Sequence, residues 1–571
     1  MPIHTYFEQN GDSSALVVLL HGWSDDEEEY ADLVEAVKML EPNADLLRLH
    51  YRKGIAHNEN PFVVASEVEV AISETYEQSL MDGKPYQRIV LIGYSLGALL
   101  IRKAYVYGRG SEEDRPNYPH NTPPNDWTTR VERIILLAGI NRGWSLDNQP
   151  ANMSLIRFIA WRYVLAPIVR ALPILKVLKE IERGAPFVVN LRIQWIRLIQ
   201  REPNQMVPVF QLLGTVDSLV SSSDDRDLYV HREFIYIPVE GADHQSLIRF
   251  DNKKNKELGQ RCWKKFTEAL GAPIQKLQEE YEGEQHVTQE LLETKEKHII
   301  FVLHGIRDYG GWTGDLREDI GRVATQLQLP IPKVVTAKYD FFSMGKFLLS
   351  RFLPRRSRHK YVCWFMDQYT EQIATFPNPN SKVSFIGHSN GTYILASALK
   401  QYQTLQIHRA SFAGSVVPRE YPWEQYIREE GRVETLRNDR AASDWVVGLF
   451  PKIFDQLNFS DVGSGGFDGF NDDAANQLDG PYYLGGHSAA IQPANYESLS
   501  KFVLTGQVER DERLTTRTQP GWLVILSRAS ILVWILVFLL VFGPPIYFVL
   551  HAYYAAALAY ILFVLFVTSY I

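Results

Sequence analysis

The chain has 571 residues, more than a single hydrophobic core supports, so several domains are expected. Charged residues at 22% and hydrophobic residues at 46% exclude a disordered chain, and a net charge of -8 argues against a nucleic-acid binder. Cys262 and Cys363, the two cysteines, stand in no C-x-x-C or Cys/His cluster, so no metal and no cofactor is expected and two reduced cytosolic thiols are the simplest reading.

The opening "MPIHTYFEQNGDSS" has neither the basic nor the apolar region of a signal peptide and leads into a core strand, "ALVVLLHGW". In "SDDEEE", Ser24 and Glu27 form a capping box and the acids suit a helix start, which is preferred to a metal site. Next, the strand "RIVLI" runs into Gly-x-Ser-x-Gly at Ser95 and then into the helical pattern "LGALLIRKAY". A strand-to-helix turn this sharp crowds the serine backbone, so Gly93 and Gly97 relieve clashes, and the helix N-terminus favours negative charge developing at the serine.

A serine hydroxyl needs a base, and the base needs an orienting acid. Asp217 lies just beyond the strand in "VFQLLGTVDSLV", and His244 just beyond the strand in "EFIYIPVEGADHQSL". Asp224 and Asp225 compete with Asp217 for the acid, which is assigned to Asp217. In "LLHGW" the backbone N–H of Trp23 would pair with that of Leu96 as an oxyanion hole, and His21 is read as a loop brace. Between "LLAGINRGW" and Met206 an apolar, basic and helical insertion is expected to form a cap. With "GKFLLSRFLPRRSRHKYVCWF" further on, it is a candidate surface for anionic lipid headgroups, the alternative being packing on its own domain.

After a charged helical linker, the order of features repeats. "HIIFVLHGIRD" supplies a strand and the amide of Ile306, while "VSFIGHSNGTYILASAL" supplies Ser389 and the amide of Asn390. "YYLGGHSAAI" supplies His487. For the acid, "VETLRNDRAASDWVVG" offers Asp439 and Asp444, and the likeness of Asp444-Trp-Val-Val to Asp217-Ser-Leu-Val favours Asp444. Continuous apolar strands alternating with helices predict an α/β doubly wound, mostly parallel sheet in each block.

From Ala529 to Ile571 no Lys, Arg, Asp or Glu occurs, about twice the length one span of ~20 residues needs. Two spans are expected, about 521–542 and 546–569, divided at Gly543-Pro544-Pro545, with one kinked helix or a re-entrant hairpin as rivals. Arg510, Arg513, Arg517 and Arg528 precede this tail, which predicts a tail-anchored protein with its large part on the cytoplasmic face.

On these motifs the first block, from about Leu16 to Leu247, resembles an α/β-hydrolase of the lipase/esterase branch, and "GYSLGALLIRKAY" is similar to the nucleophile-elbow helix of that branch. Tyr94 stands where the branch frequently has His. The resemblance implies two tandem hydrolase domains and a serine hydrolase with triads Ser95–His244–Asp217 and Ser389–His487–Asp444. The expected boundaries are 1–271 with a cap at about 146–206, a linker 272–296, a second domain 297–505, a linker 506–520 and a membrane segment 521–571. The expected substrate is an ester or thioester of a lipid or lipid-linked molecule, and the expected partner a membrane. Two alternatives stay open: one catalytic domain with the other regulatory or binding, or a membrane-tethered scaffold without catalysis.

Overall fold

In the computed structural model the described residues are 3–10, 13–22, 27–51, 59–116, 123–144, 179–202, 204–217, 228, 234–252, 255–289, 295–305, 311–336, 356–457, 461–551 and 553–570. The chain divides into two compact units: Met1–Glu296 with Cys363–Pro379 and Gln401–Thr404, and Lys297–Val362 with Asn380–Lys400 and Leu405–Ile571.

The first unit is built on seven strands: β1 (Ile3–Glu8), β2 (Ala15–Leu20), β3 (Asp45–Tyr51), β4 (Arg88–Tyr94), β5 (Val131–Leu137), β6 (Val209–Gly214) and β7 (Phe234–Val239). Their order across the sheet is β1-β3-β2-β4-β5-β6-β7. Only β1 runs antiparallel, paired with β3; every other pairing is parallel. The strand "ALVVLL" is apolar without alternation because both faces are covered. Leu16, Val18 and Leu20 enter one core cluster, and Val17 and Leu19 enter the other.

Helices Pro61–Met81 and Leu96–Gly108 pack together against the first of these cores. Asn60 caps the former, its side-chain oxygen accepting from the Phe62 N–H at 3.0 Å, and Pro61 occupies the first helical position. The expected charged linker is helical over Ile274–Gln289, and buried Leu277 and Tyr281 fix it to the second core of this unit. Most of the expected cap, 145–178, lies outside the described residues, as do the "SDDEEE" capping residues Ser24 and Asp25–Asp26. Its last part forms the helix Pro186–Arg201. Arg192 of this helix pairs with Glu371 at 2.6 Å, and Arg142 reaches Asp367 at 2.8 Å, both within the first unit.

The second unit carries β8 (His298–Leu303), β9 (Lys333–Thr336), β10 (Lys382–His388), β11 (Ile407–Ala413) and β12 (Val433–Asp439). Their order is β12-β11-β10-β8-β9, and all pairings are parallel. A short antiparallel pair, β13 (Tyr482–Tyr483) with β14 (Thr515–Thr516), stands apart from this sheet. The protein is therefore α/β, with two mostly parallel sheets, as the alternating pattern predicts.

The apolar end departs from the expected division. Helix Ser530–Leu550 runs unbroken through Gly543-Pro544-Pro545, and the break falls at His551–Tyr553, before helix Tyr554–Tyr570. A separate helix, Gly521–Arg528, precedes them. Pro544 has no N–H for the carbonyl of Leu540, four residues back. The Tyr560 hydroxyl from the returning helix donates to that carbonyl at 2.5 Å, so one of the two helical bonds lost at Pro544 and Pro545 is replaced. The two helices pack as an antiparallel hairpin. Among the described residues Ser530–Leu550 alone is long and apolar enough to cross a membrane, and none of its apolar window is buried.

Candidate active site

In both sheets the strand order reverses beside the serine-bearing strand: between β2 and β4 in the first, and between β8 and β10 in the second. Such a switch point leaves a crevice at the carboxyl ends of the strands. Ser95 follows β4 and Ser389 follows β10, while the two Leu-His-Gly segments end the neighbouring β2 and β8. Topology thus brings four motifs to two equivalent crevices.

Both serines occupy the left-handed region that side-chain-bearing residues rarely adopt, with φ of 53° at Ser95 and 52° at Ser389. The strain is held by hydrogen bonds on both sides. Ser95 N–H donates to Leu137 O at 2.8 Å and Ser389 N–H to Ala413 O at 3.0 Å. The serine carbonyls accept from Ala98 and Thr392 N–H. The glycine requirement is steric. A Cβ on Gly97 would lie 2.4 Å from the Leu20 carbonyl oxygen, and one on Gly391 would lie 2.6 Å from that of Leu303.

In the first unit the three predicted side chains meet. His244 Nε2 lies 2.9 Å from Ser95 Oγ, and His244 Nδ1 lies 2.9 Å from Asp217 Oδ2. Asp217's side chain is fully buried while His244 keeps 16% exposure, so the carboxylate is shielded and the imidazole is partly open. Asp224 and Asp225 lie outside the described residues.

In the second unit His487 Nδ1 lies 2.9 Å from Asp444 Oδ2, again with a fully buried carboxylate. The competing Asp439 is bound elsewhere. It lies 2.7 Å from the Arg437 guanidinium and accepts from Arg510 at 3.0 Å. Asp444 serves twice, because its other oxygen caps the next helix by accepting the Val447 N–H at 3.0 Å. Ser389 Oγ makes no hydrogen bond to His487 among the described residues, so of the three expected side chains only His487 and Asp444 are paired.

Leu96 and Asn390 open the two elbow helices, as expected; Trp23 and Ile306 lie outside the described residues. The histidine of each Leu-His-Gly braces its own loop, His21 Nδ1 donating to Gly22 O at 2.7 Å and His304 Nδ1 to Gly305 O at 2.9 Å. Among the described residues no group of His, Cys, Asp and Glu could hold a metal ion.

Sequence reasoning missed the residues that steady the histidines. The Tyr94 hydroxyl donates to the His244 carbonyl at 2.9 Å, and His388 Nε2, at the same elbow position, faces the His487 carbonyl at 3.4 Å. Asp243 and Ser246 also lock the His244 turn: Asp243 N–H donates to Ser246 Oγ and Ser246 N–H to Asp243 Oδ1, each at 2.8 Å. Burial pushes the Asp243 carboxyl up, but its bonds from the Ser246 amide and hydroxyl and the Gln245 amide outweigh this and hold it below the usual range. The Asp-x-x-Ser spacing of this turn was legible in the sequence.

No family model matches the chain, and no curated protein matches it. Among solved structures it is similar to a lipase-esterase related protein of Clostridium acetobutylicum, at 14% identity and a TM-score of 0.28, over 47% of this chain and 100% of that one. It is similar to a Pyrococcus furiosus esterase at 16% identity and a TM-score of 0.29, over 47% and 86% of the two chains. A thermophilic esterase of Thermogutta terrifontis matches at 16% identity and a TM-score of 0.31, over 47% and 90%.

Proposed function

We propose that the protein is a membrane-anchored serine hydrolase of the α/β-hydrolase type, cleaving carboxylic esters or thioesters of lipid or lipid-linked molecules. The observation that carries this reading is the continuous chain Ser95–His244–Asp217, with both imidazole nitrogens engaged at 2.9 Å. A carboxylate on Nδ1 holds the tautomer that leaves Nε2 free to accept the serine proton.

In this mechanism Ser95 Oγ attacks the carbonyl carbon as its proton passes to His244 Nε2. Asp217 stabilises the resulting imidazolium, and amides at the start of the Leu96 helix stabilise the oxyanion. The C–O or C–S bond breaks, and the alcohol or thiol leaves with the proton from His244. Water then gives its proton to His244 and attacks the acyl-serine, and the acid is released as Ser95 recovers its proton. The same cycle applies to Ser389, His487 and Asp444, with Asn390 opening the second elbow helix.

The anchor is the hairpin that begins at Ser530, one helix of which has the length of a span. Arg510, Arg513, Arg517 and Arg528 before it put the two hydrolase domains, 1–271 and 297–505, on the cytoplasmic face. A second reading, in which only the first domain turns over and the other binds or regulates, is favoured by the missing Ser389–His487 bond.

The test is ester turnover by membranes carrying wild type, Ser95→Ala, Ser389→Ala and the double variant. Turnover lost only with Ser95→Ala selects the second reading, and turnover untouched by the double variant rejects hydrolysis at both sites.

A further inference from the structure

The helix Trp445–Gln456, which Asp444 caps, is predominantly apolar. It has two charged residues, and both are tied to protein partners: Lys452 to Asp468, and Asp455 to the N–H and hydroxyl of Ser464 at 2.6 and 2.7 Å. Val447, Gly448, Pro451 and Lys452 form the buried face. Trp445 and Leu457, which follows the helix, stay 45% and 53% exposed. Apolar side chains therefore remain where a soluble protein would place charge.

This outward side is continuous with the hairpin. Gln456 Nε2 donates to the Arg528 carbonyl at 3.0 Å, and Ser530 Oγ donates to Gln456 Oε1 at 2.7 Å. Toward the other end, Trp534 Nε1 donates to Leu449 O at 3.0 Å, and the Trp534 and Phe450 rings pack edge to face at 4.8 Å. The helix thus runs antiparallel to Ser530–Leu550, and its Asp444 end is the end carried along the hairpin. Trp534 stands four residues past Ser530, about 6 Å at 1.5 Å per residue, and Trp445 lies beyond the Phe450–Trp534 contact. Trp445, five residues or about 7–8 Å beyond Phe450, is thus carried about 14 Å past Ser530, across a headgroup layer of about 5–8 Å on one side of a bilayer to the edge of its hydrocarbon. Trp522 and Ile525, 61% and 68% exposed on the neighbouring helix, extend the same apolar surface.

Taking the hydrolase reading above as its premise, we infer that this surface is seated at the headgroup–acyl boundary of the bilayer that holds the hairpin, so that the Ser389–His487–Asp444 site takes its substrate, an acyl ester of a bilayer phospholipid, from that membrane. Asp444 links the two, since one carboxylate orients His487 and caps the helix in contact with the hairpin.

The test uses the full chain in phosphatidylcholine vesicles, with single substitutions Trp445→Cys, Leu457→Cys and, as a water-exposed control, Met39→Cys. Burial pushes the native thiols Cys262 and Cys363 up to about 11 and about 12, so an added thiol takes an environment-sensitive dye selectively. Lipids spin-labelled near the headgroup should quench position 445 at least twofold, position 457 less and position 39 not at all. Equal behaviour at 445 and 39 overturns the seating. In a Ser95→Ala background, Trp522→Asp with Ile525→Asp should lower the ratio of vesicle-phospholipid to soluble-ester hydrolysis about tenfold. A seated surface with hydrolysis of soluble ester only overturns the substrate assignment. Hydrolysis of neither ester in this background selects the reading in which only the first domain turns over and overturns the substrate assignment to the second site, while the quenching still decides the seating.

Discussion

Asp439 and Asp444 lie five residues apart, are both buried, and are assigned opposite jobs, so removing one charge at a time separates catalysis from stability. Asp444→Asn keeps the helix cap, because an asparagine oxygen can still accept the Val447 N–H. What it loses is the carboxylate on His487 Nδ1, and the amide favours the wrong tautomer. A change of this kind lowers turnover by about 10⁴-fold in a serine triad. Asp439→Asn spares His487 but leaves Arg437, whose side chain is 0% exposed, without its counter-charge at 2.7 Å and removes the charge that also faces Arg510 at 3.0 Å. Breaking a buried pair from one side costs about 3–5 kcal/mol. At about 2–4 °C per kcal/mol for a unit of this size, the midpoint of the second unit falls by about 6–20 °C. The assay is thermal unfolding of the detergent-solubilised chain beside covalent labelling of Ser389 in a Ser95→Ala background. Asp444→Asn should unfold like its parent with labelling lost, and Asp439→Asn should unfold early with labelling retained at low temperature. The reverse pattern would refute the assignment of the second acid.

Three further outcomes follow from particular contacts. Gly97→Ala places a Cβ against the Leu20 and His21 carbonyl oxygens at 2.4 and 2.5 Å, backbone atoms that cannot swing away, so probe labelling of Ser95 should fall at least ~10-fold while Ser389 is unaffected. Tyr560→Phe leaves the Leu540 carbonyl without its donor and should weaken the hairpin by about 1 kcal/mol in a folding assay in micelles. Pro544→Ala restores the helical N–H, so the double variant should recover that loss; an additive result would deny the link. Burial holds His298 at about 4, below its ordinary 6.5, so the native state resists its protonation. Stability from this group is complete above pH 6.5 and is lost as pH falls toward 4, by about 2–3 kcal/mol at pH 4.5. The pH slope of unfolding should flatten over that window in His298→Gln, and an unchanged slope would show that other groups carry it.

The elbows were legible because their requirements are local. A strand, two glycines with no room for a Cβ and a helix start must lie in one short stretch, and Ser95 and Ser389 show the same backbone strain. The acid of the second site was harder to read, because what separates Asp439 from Asp444 as a partner of the histidine arrives from far along the chain: His487 from one segment and Arg510 from another. The hairpin shows the same limit. Gly543-Pro544-Pro545 carries a local stop signal, and the structure overrides it with a hydroxyl from twenty residues away. The reach of Tyr94 to His244 is likewise invisible to spacing, since the two lie 150 residues apart.

The claim on which everything turns is that Ser95 is an activated nucleophile. A fluorophosphonate probe applied to the full-length chain in membranes, with the modified peptide located by mass spectrometry, tests it directly. A covalent adduct on Ser95 that disappears in His244→Ala is the predicted result. A serine left unmodified, or modified equally well without His244, would contradict it.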